Sequence, residues 1–169
     1  MRLNLADLNE ATRQLMLEEL GKDRASGKIY RSKRAALGTD SDYFQAQRSA
    51  FESGNPDLLV EALAAPGFFL SHQSDGKQIN GREAASVLGD GQFIVYHARA
   101  MCRRAIAEGR EIEIYRAEDT RIHRRESDEV VGSRPDPTGL LNELRENSDQ
   151  PWKLSTVGKP NSGLAVRLT

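Results

Sequence analysis

The sequence has a single cysteine, Cys102, among its 169 residues. One thiol cannot close a disulfide within the chain, nor can it supply a cysteine-rich zinc site. Aromatic residues are scarce, at 6%. Leu, Ile, Val and Phe together make up roughly a fifth of the residues, close to the level below which a strongly charged chain stays unfolded. No run of about 18 apolar residues occurs, which excludes a membrane-spanning helix. The opening Met1-Arg2-Leu3-Asn4-Leu5-Ala6-Asp7 lacks the apolar stretch of a secretory signal. Nor is there an excess of one charge: 24 Lys and Arg face 25 Asp and Glu, for a formal net charge of −1. Self-repulsion therefore does not oppose folding, and the global basic character of a nucleic-acid-binding domain is missing. These bounds predict one domain over residues 1–169 that folds without staples, around a core that is neither large nor dry.

The charge that is present is segregated. Lys22, Arg24, Lys28, Arg31, Lys33 and Arg34 stand against one acid, Asp23, while acids gather in residues 7–19 and 108–129. Arginine outnumbers lysine 18 to 6, a bias that suits planar, bidentate contacts at interfaces and equally reflects a GC-rich coding sequence.

Hydrophobic periodicity predicts an α+β chain dominated by helices. Leu5, Leu8, Thr12, Leu15 and Met16 mark an amphipathic helix over residues 4–20, capped by Asn4 or Asp7 and ended by Gly21. Residues 21–39 are polar and basic, and read as an extended arm suited to reaching a partner. Asp40 or Ser41 opens a second helix with Tyr43, Phe44, Gln47, Ala50 and Phe51 inward, stopped by Gly54. Asn55-Pro56 restarts a third, with a capping residue and a first-turn proline. Asp75-Gly76 marks a small ribbon. A short helix from Asn80 ends at Gly89-Asp90-Gly91. The strongest helix then runs over residues 92–108, with Phe93, Ile94, His97, Ala98, Met101, Cys102 and Ala105 on one side and Arg99, Arg103 and Arg104 on the other. Alternation in Glu111-Ile112-Glu113-Ile114-Tyr115 predicts a strand. Residues 116–135 are charged and aperiodic, a surface segment or a loop ordered by a partner. Asp136-Pro137 opens a last helix with Leu140, Leu141 and Leu144. From Ser148 onward the chain reads as an extended C-terminal tail whose Leu164–Leu168 alternation fits one edge strand.

A search for chemistry finds no catalytic, cofactor-binding or metal-binding set. Cys102 sits on an apolar helix face, as a small hydrophobe would. His72, His97 and His123 are isolated in sequence, and no His pair has helical ligand spacing. Gly158-Lys159-Pro160-Asn161-Ser162-Gly163 lacks phosphate-loop spacing. Glu111 and Glu113 share a strand face and could hold a cation with a third ligand, but read more simply as solvated side chains. The residues best placed to meet a partner or a phosphate are Arg31, Lys33, Arg34, Arg121, Arg124 and Arg125.

Several blocks resemble a family. Leu3-Asn4-Leu5-Ala6-Asp7-Leu8-Asn9-Glu10 with Arg13 and Leu15-Met16 is one. Others are Arg103-Arg104-Ala105-Ile106-Ala107-Glu108-Gly109 with Tyr115-Arg116-Ala117, and Arg125-Glu126-Ser127 with Gly132. Leu140-Leu141 with Leu144-Arg145 and the ending Pro160-Asn161-Ser162-Gly163-Leu164-Ala165-Val166-Arg167-Leu168 complete the set. Together they resemble small proteins from the structural gene clusters of tailed phages and prophages of actinobacteria. The likeness covers both ends and the central helix-to-strand unit, and omits residues 68–91. It implies a virion component, such as a minor capsid, capsid-stabilising or head-to-tail connector protein, and it carries over no functional residue. The expected partners are capsid or connector proteins and further copies of the chain, in the virion and, during assembly, in the host cytoplasm. An enzyme is not expected. The alternative is a small nucleic-acid-binding or regulatory module whose arginine-rich strip contacts phosphates.

Overall fold

The computed structural model describes residues 3–118 and 125–169. Its organising element is a single 28-residue helix, α4 (Gly81–Glu108), about 42 Å long at 1.5 Å per residue. Around it stand α1 (Glu10–Ser26), α2 (Asp40–Ser53), α3 (Pro56–Leu63) and α6 (Pro137–Glu146), with the short α5 (Arg125–Val130) at the surface. One antiparallel pair, β1 (Ile112–Arg116) and β2 (Leu164–Leu168), completes the fold. The chain is a helix-dominated α+β domain, as its periodicity predicts.

The sequence reading divides α4 at Gly89-Asp90-Gly91, yet the helix runs straight through. Two mid-helix glycines cost roughly 1 kcal/mol each relative to alanine. That cost is outweighed by an apolar stripe from Ala84 to Ala105 that stays buried on α1, α3, α6 and the sheet. Gly89 has a packing reason: a Cβ there would stand 2.9 Å from Val60 Cγ2 and 3.4 Å from the Val60 backbone. Gly91 has none, since its Cβ would meet nothing within 4 Å.

The first helix is also displaced from its predicted bounds. Asn9, not Asn4 or Asp7, caps α1 by accepting from the Thr12 N–H at 3.1 Å. The helix passes through Gly21 and stops at Gly27, whose φ of 71° is left-handed. There the Lys28 N–H donates to the Asp23 carbonyl at 2.8 Å and the Gly27 N–H to that of Arg24 at 3.3 Å, the two bonds of a Schellman stop. Residues 21–26 are therefore helix, not arm. The connection that follows is tied down: Ala35 bridges Phe69, Leu70 N–H donates to the Arg34 carbonyl at 2.8 Å, and Ser32 is buried. Arg13 crosses from α1 to donate to the carbonyls of Phe51 at 3.1 Å and Gly54 at 2.7 Å, a cation at the C-terminal end of α2.

The predicted tail is core. Ser148 is buried, Pro151–Lys153 forms a 3-10 turn, and Leu154 and Val157 are buried. β2 is an edge strand of the two-stranded sheet, as its alternation predicts, yet Leu164, Ala165 and Val166 have no exposure. It pairs Ile112 with Leu168, Ile114 with Val166 and Arg116 with Leu164, and it packs on α4. The N-terminal strand residue Leu3 bridges Glu118 beside it. Glu111 and Glu113 share an arginine: Arg134 meets Glu111 at 2.6 Å and reaches Glu113 at 4.0 Å, and Arg167 meets Glu113 at 2.5 Å. In residues 116–135, α5 is anchored by Arg116 to Asp128 at 2.7 Å.

The two α4 glycines should separate cleanly. Gly91→Ala is expected to raise stability by about 0.5–1 kcal/mol through helix propensity. Gly89→Ala is expected to lower it, because stiff Val60 cannot withdraw without lifting α3. Urea denaturation of both variants tests this.

Candidate functional site

The six basic residues picked from sequence do not form one strip. Arg31 is engaged by Asp40, with both carboxylate oxygens at 2.9 Å. Lys33 is exposed, and Arg34 is half-buried in the same connection between α1 and α2. Arg125 opens α5, which is held on β1, and its side chain is 92% exposed beside Glu129 at 3.3 Å. Arg121 and Arg124 lie outside the described residues, as does His123.

A polar constellation that the sequence reading missed lies at the α1–α4 contact. Arg99, assigned there to the outer face, is 1% exposed. Its Nε donates to Glu19 Oε1 at 2.8 Å, its Nη1 to Asp23 Oδ2 at 2.7 Å and its Nη2 to Asp23 Oδ1 at 3.1 Å. The Tyr96 hydroxyl donates to Asp23 at 2.7 Å, and Ser148 donates to the same oxygen. Arg145, from α6, adds two bonds to Glu19 at 2.8 and 3.0 Å. Thus α1, α4, α6 and the following turn converge on two buried carboxylates. A helical wheel of α1 extended to Ser26 would have shown Thr12, Met16, Glu19, Leu20 and Asp23 on one face, opposite Tyr96, Arg99 and Arg103 on α4.

The electrostatics follow from that geometry. Burial by itself would raise the Glu19 pKa. The Arg145 hydrogen bond and the charge and hydrogen bond of Arg99 outweigh it and bring the pKa down to about 2. Arg99 is opposed by burial, yet its Asp23 bonds and the surrounding acids lift its pKa above the ordinary value. These groups stay charged at any ordinary pH and are already fully engaged with one another, so they brace helices.

Two further buried groups behave differently. His97 has no exposure, and its Nε2 lies 2.7 Å from the Ala6 carbonyl, so that nitrogen carries the proton and donates. Burial drives its pKa down to about 4, against smaller opposing effects of the Ala6 bond and Asp7. This neutral ring pins the N-terminal segment, which Tyr115 also holds: its hydroxyl accepts from the Ala6 N–H and donates to the Asn4 carbonyl. The Cys102 thiol is buried, and burial pushes its pKa up to about 12, which removes thiolate reactivity.

On the far side of Asp23 a half-open cavity of about 440 Å³ lies between the end of α1, the start of α2 and the connection joining them. Tyr30, Tyr43 and Phe44 give it an aromatic wall, and the Arg24 guanidinium stands 3.8 Å over the Phe44 ring. Tyr30 continues the wall edge-on to Trp152, with ring centroids 6.1 Å apart, and Trp152 is 51% exposed. Among the described residues, no group of three or more His, Cys, Asp or Glu side chains is placed to hold a metal ion. No helix there is long and apolar enough to cross a membrane. No family model, curated protein or solved structure matches the chain.

Arg99→Ala would leave Asp23 buried without its cation, while Glu19 keeps Arg145, and is expected to cost about 3–5 kcal/mol, with a smaller loss for Arg99→Lys; urea titration measures both. Acid should act in two windows. His97 takes up its proton near 6.5 in the unfolded chain and near 4 in the folded one, so this contribution is complete above pH 6.5 and lost between 6.5 and 4. Glu19 moves from 4.5 to about 2, so its contribution is complete above pH 4.5 and lost between 4.5 and 2. Melting temperature against pH should lose the upper window in His97→Gln and the lower one in Glu19→Gln.

Proposed function

We propose that the chain is a structural protein of a tailed-phage particle, a minor capsid, capsid-stabilising or connector component that works by protein–protein contact. The phage setting comes from the likeness of both ends and the helix-to-strand unit to that family. The mode of action rests on one observation, the division between inside and outside. Glu19, Arg99, His97 and Cys102 lie inside the fold and brace it or stay inert. The surface offers an aromatic cavity rimmed by Asp23, Arg24, Arg31 and Asp40, with half-exposed Trp152 packed on Tyr30 beside it. Buried aromatic anchors ringed by charge are what protein interfaces use for affinity and orientation. A phosphate-binding strip has less support, because Arg31 is already taken by Asp40 and Arg125 belongs to a different element.

Particles banded on a density gradient from the chain's native host, analysed by mass spectrometry, test the reading. The chain should co-band with the major capsid protein at a fixed ratio that survives high-salt washing. Its confinement to the soluble fraction would overturn the proposal. So would binding of the isolated chain to duplex DNA with a steep salt dependence.

A further inference from the structure

The cavity between α1 and α2 is more specific than a generic contact face. Its walls are aromatic, and of its four charged lining residues one cation is left without a charged partner among the described residues. Tyr43 is buried in that wall, and its hydroxyl has no hydrogen-bond partner among the described residues. The charged lining residues are Asp23, Arg24, Arg31 and Asp40. Asp23 is neutralised from behind by Arg99, and Arg31 and Asp40 neutralise each other. Arg24 is left to set the sign of the site, held in place over Phe44. In the adjoining connection, Arg34 is close enough to Tyr30 to act on its hydroxyl.

We infer that this cavity docks an acidic segment of a protein partner, seating one aromatic side chain against Tyr30, Tyr43 and Phe44 while flanking carboxylates meet Arg24 and the basic connection. The inference rests on the protein-contact reading above and names the chemistry of the partner. Charge complementarity selects an acidic occupant. The wall's continuation onto half-exposed Trp152 selects a chain that lies along the surface over a small molecule enclosed in a pocket. An aromatic ring gains both area burial and edge-to-face contact there.

Trp152 is the only tryptophan in the sequence, so its emission reports on the wall. The full chain is titrated with the synthetic peptide Asp-Glu-Asp-Phe-Glu-Asp-Glu. A saturable change in Trp152 emission is expected below about 1 mM peptide. It should weaken roughly tenfold, about 1.4 kcal/mol, when serine replaces the phenylalanine and again in Arg24→Glu. Ser41→Glu puts a carboxylate on the cavity lining at a helix start that favours acids, and it should weaken binding with the melting temperature unchanged. Thus the site remains testable if Arg24→Glu fails to fold. Absence of a saturable change overturns the inference. Equal binding of the serine peptide, or equal binding by folded Arg24→Glu or Ser41→Glu chain, does the same. A chain that bands with particles but ignores the peptide keeps the virion role and loses this site. One that binds the peptide but is absent from particles keeps the site and loses that role.

Discussion

Arg99 is the hinge of the arrangement. It places one guanidinium between two carboxylates of α1 in an interior from which water is excluded. Removing three charges from water is expensive, and apolar side chains of similar volume could fill the same space at no loss of stability. What the charges add is discrimination. Rotating α1 about its own axis would leave Glu19, Asp23 and Arg99 dry and unmatched, a penalty that no apolar seam would impose. Arg145 extends the constraint to α6 and Ser148 extends it to the chain beyond. The register of three helices is thereby set by one cluster.

That cluster also shapes the surface. Asp23 faces inward to Arg99 and Tyr96, so its neighbour Arg24 is turned outward, over Phe44. The left-handed stop at Gly27 then redirects the chain, so that Tyr30 and Arg31 wall the cavity. An interior salt bridge thus positions an exterior cation one residue away.

Much of the architecture was legible in sequence, because the signals were local. Asn55-Pro56 and Asp136-Pro137 open helices as caps followed by proline should. Glu111 to Tyr115 alternates and forms a strand, and Asp75-Gly76 turns a small ribbon. The failures share one cause: tertiary contact overrode a local rule. Gly21, Gly89 and Gly91 read as stops, yet each lies inside a helix whose partners hold it straight. Arg99 reads as solvated because arginine normally is, and only the distant Glu19 and Asp23 reverse that. The edge strand became core because α4 covers it. Of the interface residues chosen from sequence, Arg31 borders the cavity, whereas Tyr43, Phe44 and Trp152 could not be assembled from positions so far apart in the chain.

The two-stranded sheet has a bearing on how the molecule is made. β2 reaches β1 across roughly fifty intervening residues, so during synthesis β1 exists before its partner does. Until the last strand arrives, Ile112 and Ile114 have no partner on one edge, and the nascent domain carries an unpaired, apolar ribbon. Synthesis of this protein therefore includes an interval of vulnerability to sticking, ended only when Leu164, Val166 and Leu168 zip into place.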